Sequence, residues 1–429
     1  MFVKINKISC SKLGAKCVKH KSQNIKWIMK NYQKIIKQRN IKLVFLQFCD
    51  IFGLAKGIYL PVSKLDSAIQ NGINFDGSSI KCYGKTKNSD KTFFVDTSKF
   101  YVLPNNILTF FCYIKYKFDS RYNLVKICKK LKKLGYDIFI GAELEFFLFD
   151  QYKNRTNLKK LERVGYFSEI NIKKLNALNE IVSVLHSQNF NVEAVHHECG
   201  KNQYELDFKF GDALEIADKV LIAKQVIKHI AKKHKLYASF MPKPIKNVAG
   251  SGMHINLSIW KDGKNLFYDN SEKFELSKFA VDFTNNVAKH IGAICAFACP
   301  NINSYKRLNA HMETPTSVRI GYKDRQSAFR VPKFSENSAR VEFRFPDISC
   351  QIYLTLASLL LSGFENIFKK NNNLIAPKLL PKNLEESLEY LKQDKLVSSL
   401  IPKTYFDEIY SQIADYNSQI TSYEIKKYL

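Results

Sequence analysis

The sequence lacks the marks of several protein classes. Its longest apolar run, residues 352–361, is interrupted by Thr355 and Ser358. That is well short of the ~20 residues a membrane-spanning helix needs. None of the ten cysteines forms a CxxC, and no His/Cys spacing suggests a structural zinc site. The cysteines are expected to be ordinary buried thiols of a reducing compartment, with Cys295 and Cys299 in the core. No GxxxxGK[ST] occurs, because the spacing from Gly77 to Gly84-Lys85-Thr86 is wrong for it, and no GxGxxG occurs either. A nucleotide site here would be neither a P-loop nor a Rossmann site. There is no internal repeat and no long Pro/Gly/Ser linker. Acids are scarce, 39 against 67 Lys plus Arg, and none precedes Asp50. The basic opening segment has no apolar signal region and is rich in Lys rather than Arg. Residues 1–40 are therefore expected to be a basic extension, and the protein cytoplasmic.

What is present describes a folded chain of 429 residues, 45% apolar and 13% aromatic, enough for one large domain or two. The net charge of +28 accompanies a general enrichment in Lys, Asn, Ile, Phe and Tyr, and no nucleic-acid module goes with it. Neither nucleic acid nor membrane is an expected partner. Strand patterns at residues 41–48, 92–95 and 109–116, with a turn followed by another strand within 50–61, mark a small β-rich domain over residues 41–119. From Tyr122, LVKICKKLKKLG reads as a helix ended by Gly135, followed by the strand IFIGAELEFFLF. Asp212 with Glu215 predicts a capping box opening a helix through His234. Further strands are expected at 238–241, 253–259 and 339–345, and helices over the last eighty residues. Residues 120–429 thus form a larger α+β domain.

The informative residues are acids set among apolar strand positions. The period of two places Glu143 and Glu145 on one strand face, and Arg340, Glu342 and Arg344 on another. His254, Asn256 and Ser258 alternate in the same way. Burying neighbouring carboxylates unpaired costs several kcal/mol, so cationic groups must face them. Glu198 and Glu205 add two more acids beside His196 and His197. Five carboxylates and one imidazole suit hard divalent ions, Mg²⁺ or Mn²⁺, better than zinc. Two such ions would suit phosphoryl transfer, with Arg307, Arg325 and Arg330 as forked donors for phosphate and carboxylate.

These residues lie in ordered motifs: FDGSS at 75–79, GAELEFFLF, HHE…QYE, FMPKP at 240–244, GSGMH at 250–254, NSYKRL at 303–308 and RVEFRFPD at 340–347. In that order, from about Ile41 to the C-terminus, the chain resembles the glutamine synthetases, particularly the bacterial type I enzymes. The resemblance implies an α+β fold. A small β-grasp-like N-terminal domain would precede a larger catalytic domain with a curved antiparallel sheet flanked by helices. It implies ATP-dependent joining of ammonium to L-glutamate through a γ-glutamyl phosphate, with two divalent ions per site. Glu145, Glu198 and Glu205 match the ligands of one ion, and Glu143, His254 and Glu342 those of the other. Glu145, Gly250, Arg307, Glu313 and Arg344 match the glutamate site. Tyr166, Asn256, Ser258, Arg325 and Arg330 match the ATP side. Asp76 matches the acid that deprotonates ammonium, Glu313 the flap acid and Arg325 an arginine near the transferred phosphoryl group. The resemblance further implies a homo-oligomer, a dodecamer, with active sites between subunits.

Several positions depart from the family pattern. Ala249 stands where Asn usually precedes GSGMH, and residues 309–315 replace the usual flap. Lys201-Asn202 replaces Pro-Gly, a Lys common near the nucleotide is lost around Asn337, and the segment after Phe368 is shortened, so no adenylylation is expected there. Two alternatives stay open: a γ-glutamyl-amine or polyamine ligase, and an inactive assembly protein of the same fold.

Overall fold

The computed structural model describes residues 32–114, 116–152, 155–156, 165–309, 313–368, 374–420 and 427. The expectations for most of the basic extension, for the centre of the altered flap at 310–312 and for the segment at 369–373 lie outside the described residues.

After a helix at residues 32–38 (α1), the first sheet has six strands. They are β1 (Leu43–Cys49), β2 (Ala55–Pro61), β3 (Ile73–Asp76), β4 (Asp90–Val95), β5 (Tyr101–Leu103) and β6 (Ile107–Ile114). The order is β2-β1-β6-β4-β3, with β5 also on β6. β1, nearly all apolar, lies between antiparallel β2 and parallel β6 and is buried from Val44 to Cys49. Helix α2 (Leu65–Asn71) leads into β3 and stops at Gly72, whose φ of +74° few side chains tolerate.

Helix α3 (Ser120–Lys133) begins at Asp119, whose carboxylate accepts from the backbone N–H groups of Tyr122 and Ile114 at 2.8 and 2.6 Å. One side chain thus caps the helix and ties it to β6. Gly135, with φ +86°, ends the helix as expected. The chain then runs into β7 (Tyr136–Tyr152), which is 17 residues long and the spine of the second sheet. The other strands are β8 (Arg155–Thr156), β9 (Val192–His197), β10 (Gln203–Phe208), β11 (Gly211–Asp212), β12 (Leu236–Ser239), β13 (Ile255–Lys261), β14 (Lys264–Asn265), β15 (Ser317–Tyr322), β16 (Ser327–Val331) and β17 (Val341–Phe343). The main order is β15-β16-β17-β13-β7-β10-β9. Helices α4 (Ile172–His186), α5 (Ala213–Lys233), α6 (Lys278–Ala298), α7 (Ile302–Leu308), α8 (Ile352–Gly363), α9 (Glu365–Phe368), α10 (Leu384–Gln393) and α11 (Thr404–Ser418) complete the described elements. α5 covers β7 and β12, while α3, α6, α8 and α10 pack on one another. No described helix is long and apolar enough to cross a membrane.

Three local expectations need correction. Asp212 does cap α5, accepting from the N–H groups of Leu214 and Glu215. The reciprocal half of the box is not made, because Glu215 turns to two ammonium groups, Lys99 at 2.6 Å and Lys219 at 2.9 Å. A charged partner outcompetes a backbone amide for this carboxylate. The strand expected over 339–345 is only three residues long, because Pro346 cannot extend the ladder and the flanking backbone turns to other partners. Cysteines 49, 112, 295, 299 and 350 are buried, but Cys199 is exposed on a loop between β9 and β10.

The two sheets are joined by a buried ionic network. Arg121, in the first turn of α3, holds Asp218 of α5 through Nε and Nη2, both at 2.8 Å. Its Nη1 reaches Asp96, just past β4, at 2.9 Å, and the Tyr353 hydroxyl on α8 also donates to Asp218, at 2.7 Å.

A second network joins α6 to the C-terminal helices. Buried His290 bonds Asp394 through Nδ1 at 2.6 Å and Glu365 through Nε2 at 3.1 Å, and Lys289 also pairs with Glu365. Burial opposes its charge, but the two carboxylates outweigh that and raise His290 above its ordinary 6.5. A raised pKa contributes stability in full below the unfolded value, and the contribution disappears as pH climbs through the folded one. Thermal midpoints should therefore fall as pH rises above about 6.5, and His290→Gln should flatten that slope. A wild-type minus H290Q difference that stays constant from pH 6 to 9 would refute the charged pairing.

Candidate active site

The polar faces of β7, β10, β13 and β17 meet over one cavity. Register makes the meeting specific. Glu145 stands opposite Glu205 and Glu143 opposite Asp207, while Asn256 stands opposite Glu342. The cavity, of ≈ 830 Å³, is lined by these carboxylates and by Arg307, Arg325, Arg330 and Arg344. A second chamber of ≈ 350 Å³ adjoins it, sharing Glu143 and Asp207. Its walls include Asn256, Ser258, Arg340 and the aromatic rings of Phe139, Phe210 and Trp260.

Glu143, His254 and Glu342 offer ligand atoms all within 4.8 Å of one another. His254 Nδ1 lies 2.8 Å from Glu143, and the Asn256 amide donates to the same carboxylate at 2.8 Å. Burial would raise Glu143, but these partners and Arg344 outweigh it and hold it at about 2. Glu342 accepts from Arg344 at 2.5 Å and from Arg330. The cations that the buried acids require are therefore arginines and a histidine on neighbouring strands and loops.

The other half of the cluster is uncompensated. Burial first, then Glu145, Glu143, Asp207 and Glu198, push the Glu205 carboxyl up to about 12. Burial and Glu143 raise Asp207 to about 6, and burial and Glu145 raise Glu198 as well. Asp207 Oδ1 is buried without a hydrogen-bond partner. Glu205 gathers with His196 and Asp207 rather than with Glu145 and Glu198. Glu145 is held instead by the Gln203 amide and the Gly252 N–H, each 2.9 Å from Oε2, and Glu198 by the Cys199 N–H at 2.8 Å. The donor set is oxygen-rich with imidazoles at its margin, and it carries more negative charge than the nearby side chains neutralise. It fits hard divalent cations.

Residues 117–428 match the family described as "Glutamine synthetase, catalytic domain", and residues 40–117 match "Glutamine synthetase, beta-Grasp domain". The chain belongs to the glutamine synthetase family. It is 37% identical over 391 residues to the glutamine synthetase of Pyrococcus horikoshii, covering 86% of this chain and 87% of that one. With the glutamine synthetase of Clostridium saccharobutylicum the identity is 34% over 446 residues, covering 94% and 99%. The cryo-EM structure of Plasmodium falciparum glutamine synthetase superposes with a TM-score of 0.82 at 27% identity, covering 94% of this chain and 98% of that one. The fold is a β-grasp domain followed by the catalytic domain of this family, and the chain is a ligase of that family.

Of the expected site residues, the six proposed metal ligands, Gly250 and the four arginines Arg307, Arg325, Arg330 and Arg344 all line the large cavity. The expected ATP group is divided: Asn256 and Ser258 line the small chamber, Tyr166, Arg325 and Arg330 the large one. Glu313, at φ +55°, pairs with Arg325 at 3.2 Å, and its backbone carbonyl accepts from Arg344. Arg307 is buried and donates to the carbonyls of Phe345 and Arg344, which leaves Nε without a partner. The close packing explains a glycine in GSGMH, since a Cβ on Gly252 would sit 2.6 Å from Arg307 Nη2 and 3.1 Å from Glu145 Oε1. Asp76 lines neither cavity. It is exposed at the end of β3, where Ser78 and Ser79 hydrogen-bond its carboxylate and hold it below the usual range.

Sequence reasoning passed over Gln203 and Asp207. Both follow Glu205's own alternation, two residues before and two after. Buried Gln203 donates to Glu145 at 2.9 Å and to the Gly250 carbonyl at 3.0 Å, and it accepts from the Gly200 N–H at 2.9 Å. One amide thus joins three segments of the cavity wall.

Proposed function

We propose that this chain catalyses the ATP-dependent ligation of ammonia to L-glutamate, giving L-glutamine, ADP and phosphate through a γ-glutamyl phosphate. The observation that carries this reading is the convergence on one cavity of an undercompensated acid cluster and four arginines. Two divalent ions, Mg²⁺ or Mn²⁺, would be held by Glu143, His254 and Glu342 and, after side-chain adjustment, by Glu145, Glu198 and Glu205. Bound there, they would supply charge neutralisation for phosphoryl transfer. Arg344 and Arg307, with Gly250, would orient the glutamate. Arg325 and Arg330 face the same cavity and would stabilise the charge on the transferred phosphoryl group. Asn256 and Ser258, among the rings of the small chamber, would bind the nucleoside end of ATP. Glu313, already against Arg325, would help exclude water from the acyl phosphate.

Ammonium becomes a nucleophile only on losing a proton, and a carboxylate such as Asp76 can both attract it and take that proton. Since Asp76 lines neither cavity of its own chain, a second copy would supply it, in a homo-oligomer of the dodecameric kind. Free thiols support a reducing, cytoplasmic setting. The test is glutamine formation by the purified assembly with ATP, glutamate, ammonium and Mg²⁺ or Mn²⁺ saturating; no turnover would reject the reading. A second reading is a ligase for glutamate and a larger amine. It is favoured by Ala249, which puts a methyl group in the cavity wall. Faster turnover with putrescine or ethanolamine than with ammonium would establish it.

Two expected results follow from the residues around the metals. Burial and the surrounding carboxylates favour the protonated form of Glu205 in the metal-free protein. Loading Mn²⁺ should therefore release about one proton per site. Calorimetric titrations in buffers of different ionisation heat would read it, and identical heats would contradict it. Gln203→Ala should lower metal affinity or glutamate kcat/KM roughly 10–100-fold, because a group that orients a ligand is lost. Unchanged kinetics at limiting Mn²⁺ would show that Glu145 needs no such support.

A further inference from the structure

The motif RVEFRFPD ends in an acid that the proposed reaction does not use. Asp347 is fully buried, four residues past the end of β17. Its Oδ1 accepts from the Ser349 N–H at 2.7 Å and from the Ser349 hydroxyl at 2.5 Å. That hydroxyl in turn accepts from the Asn301 amide at 2.8 Å. Asn301 is the cap of α7, where its Oδ1 accepts from the Ser304 N–H at 3.0 Å and its own N–H donates to the Ser304 hydroxyl at 3.3 Å. Three side chains therefore tie the start of α7 to the chain leaving β17.

The other end of α7 returns to the same stretch. Arg307, in its last turn, is buried and donates to the Phe345 carbonyl at 3.0 Å and to the Arg344 carbonyl at 3.2 Å. Burial pushes the Asp347 carboxyl up, while Ser304, Ser349 and the positive charge of Arg307 act against it. The backbone adds a third tie. The Met253 N–H donates to the Pro346 carbonyl at 3.0 Å and the Ile348 N–H to the Ser251 carbonyl at 3.3 Å, which fixes the loop that carries Gly250. Residues 344–349 thus carry Arg344 and hold both ends of α7 and the Gly250 loop. Asp347, Ser349 and Asn301 line neither catalytic cavity. Any effect of theirs on the reaction passes through the groups they hold.

We propose that Asp347, acting through Ser349 and Asn301, is a positioning residue for glutamate binding. The relay sets α7 against the end of β17 and so fixes the spacing of the Arg307 and Arg344 guanidinium groups. Two forked donors grip one small substrate only when their separation is held, since a misplacement of about 1 Å can cost a hundredfold. This inference rests on the reading of the large cavity as the glutamate site.

The test is steady-state ligation by the full assembly, with glutamate and ATP varied separately. Ser349 and Asn301 are only partly buried, so both tolerate substitution. Asn301→Ser keeps a good helix cap and loses the amide that reaches Ser349. S349A and N301S should each raise the glutamate KM roughly tenfold, the worth of one side-chain hydrogen bond, and leave the ATP KM unchanged. The double variant should be no worse than the worse single one, because both substitutions break the same link. Asp347→Asn, which keeps an acceptor for Ser349, should stay closer to wild type than Asp347→Ala. A variant that only weakened the fold would lose active enzyme, lowering kcat with both KM values intact. That result would overturn the proposal, and so would glutamate and ATP KM values that rise together. If the wild type turns over no glutamate, the functional reading fails and this inference with it. If the wild type does and S349A keeps its glutamate KM, this inference alone fails.

Discussion

Glu342→Ala is expected to reduce ligation by about a thousandfold or more, the scale seen when a central electrostatic group is removed. Glu342 is 2% exposed, belongs to the triad with Glu143 and His254, and receives both Arg344 and Arg330. Its removal takes a ligand from the proposed metal centre and strands two guanidinium groups in a buried wall. Breaking a buried pair from one side costs about 3–5 kcal/mol, so the thermal midpoint should fall too. Glu342→Gln separates the two effects. The amide keeps the shape and one acceptor oxygen, so it should restore much of the stability while activity stays low. Ligation within tenfold of wild type in E342A would remove Glu342 from the catalytic centre.

Arg121→Met is expected to destabilise the fold by about 3–5 kcal/mol without touching the catalytic cavity. Its guanidinium is 4% exposed and bidentate to Asp218, with a third contact to Asp96. Burial opposes its charge, and Asp218 outweighs that and keeps it firmly protonated. Methionine fills similar volume but leaves Asp218 buried with only the Tyr353 hydroxyl among its side-chain partners here. Arg121→Lys retains the charge and loses the fork, so it should recover only part of the loss. Denaturant unfolding of the three proteins gives the comparison. A change below about 0.5 kcal/mol in R121M, typical of an indifferent surface position, would mean the network does not hold the two sheets together.

Much of the framework was legible because its signals are local. Gly135 ends α3, Asp212 caps α5, and the apolar run of β1 is a buried central strand. What failed locally failed for a tertiary reason: Glu215 left the capping box for two lysines, one of them from the other domain. Cys199 resembles the buried thiols in sequence, and only its place on the β9–β10 loop exposes it. The positions that line the candidate site were legible in kind. Acids survive in strands of a chain with a net charge of +28, and the period of two says which of them share a face.

Which acids meet is another matter. Alternation assigned Glu143 and Glu145 to one face of their strand but said nothing about what stood across from them. The register that sets Asp207 opposite Glu143 and Glu205 opposite Glu145 depends on long-range pairing, so the pushed-up carboxyl of Glu205 could not be read from one strand. The same pairing brings Gln203 onto Glu145 and His254 onto Glu143. By itself the sequence determined the element types, the polar faces and, through its ordered motifs, the family resemblance. Only the tertiary structure decided the partners of each charge and the division into two chambers. Electrostatic energy depends on distance in space and on exclusion of water, and neither is a property of position along the chain.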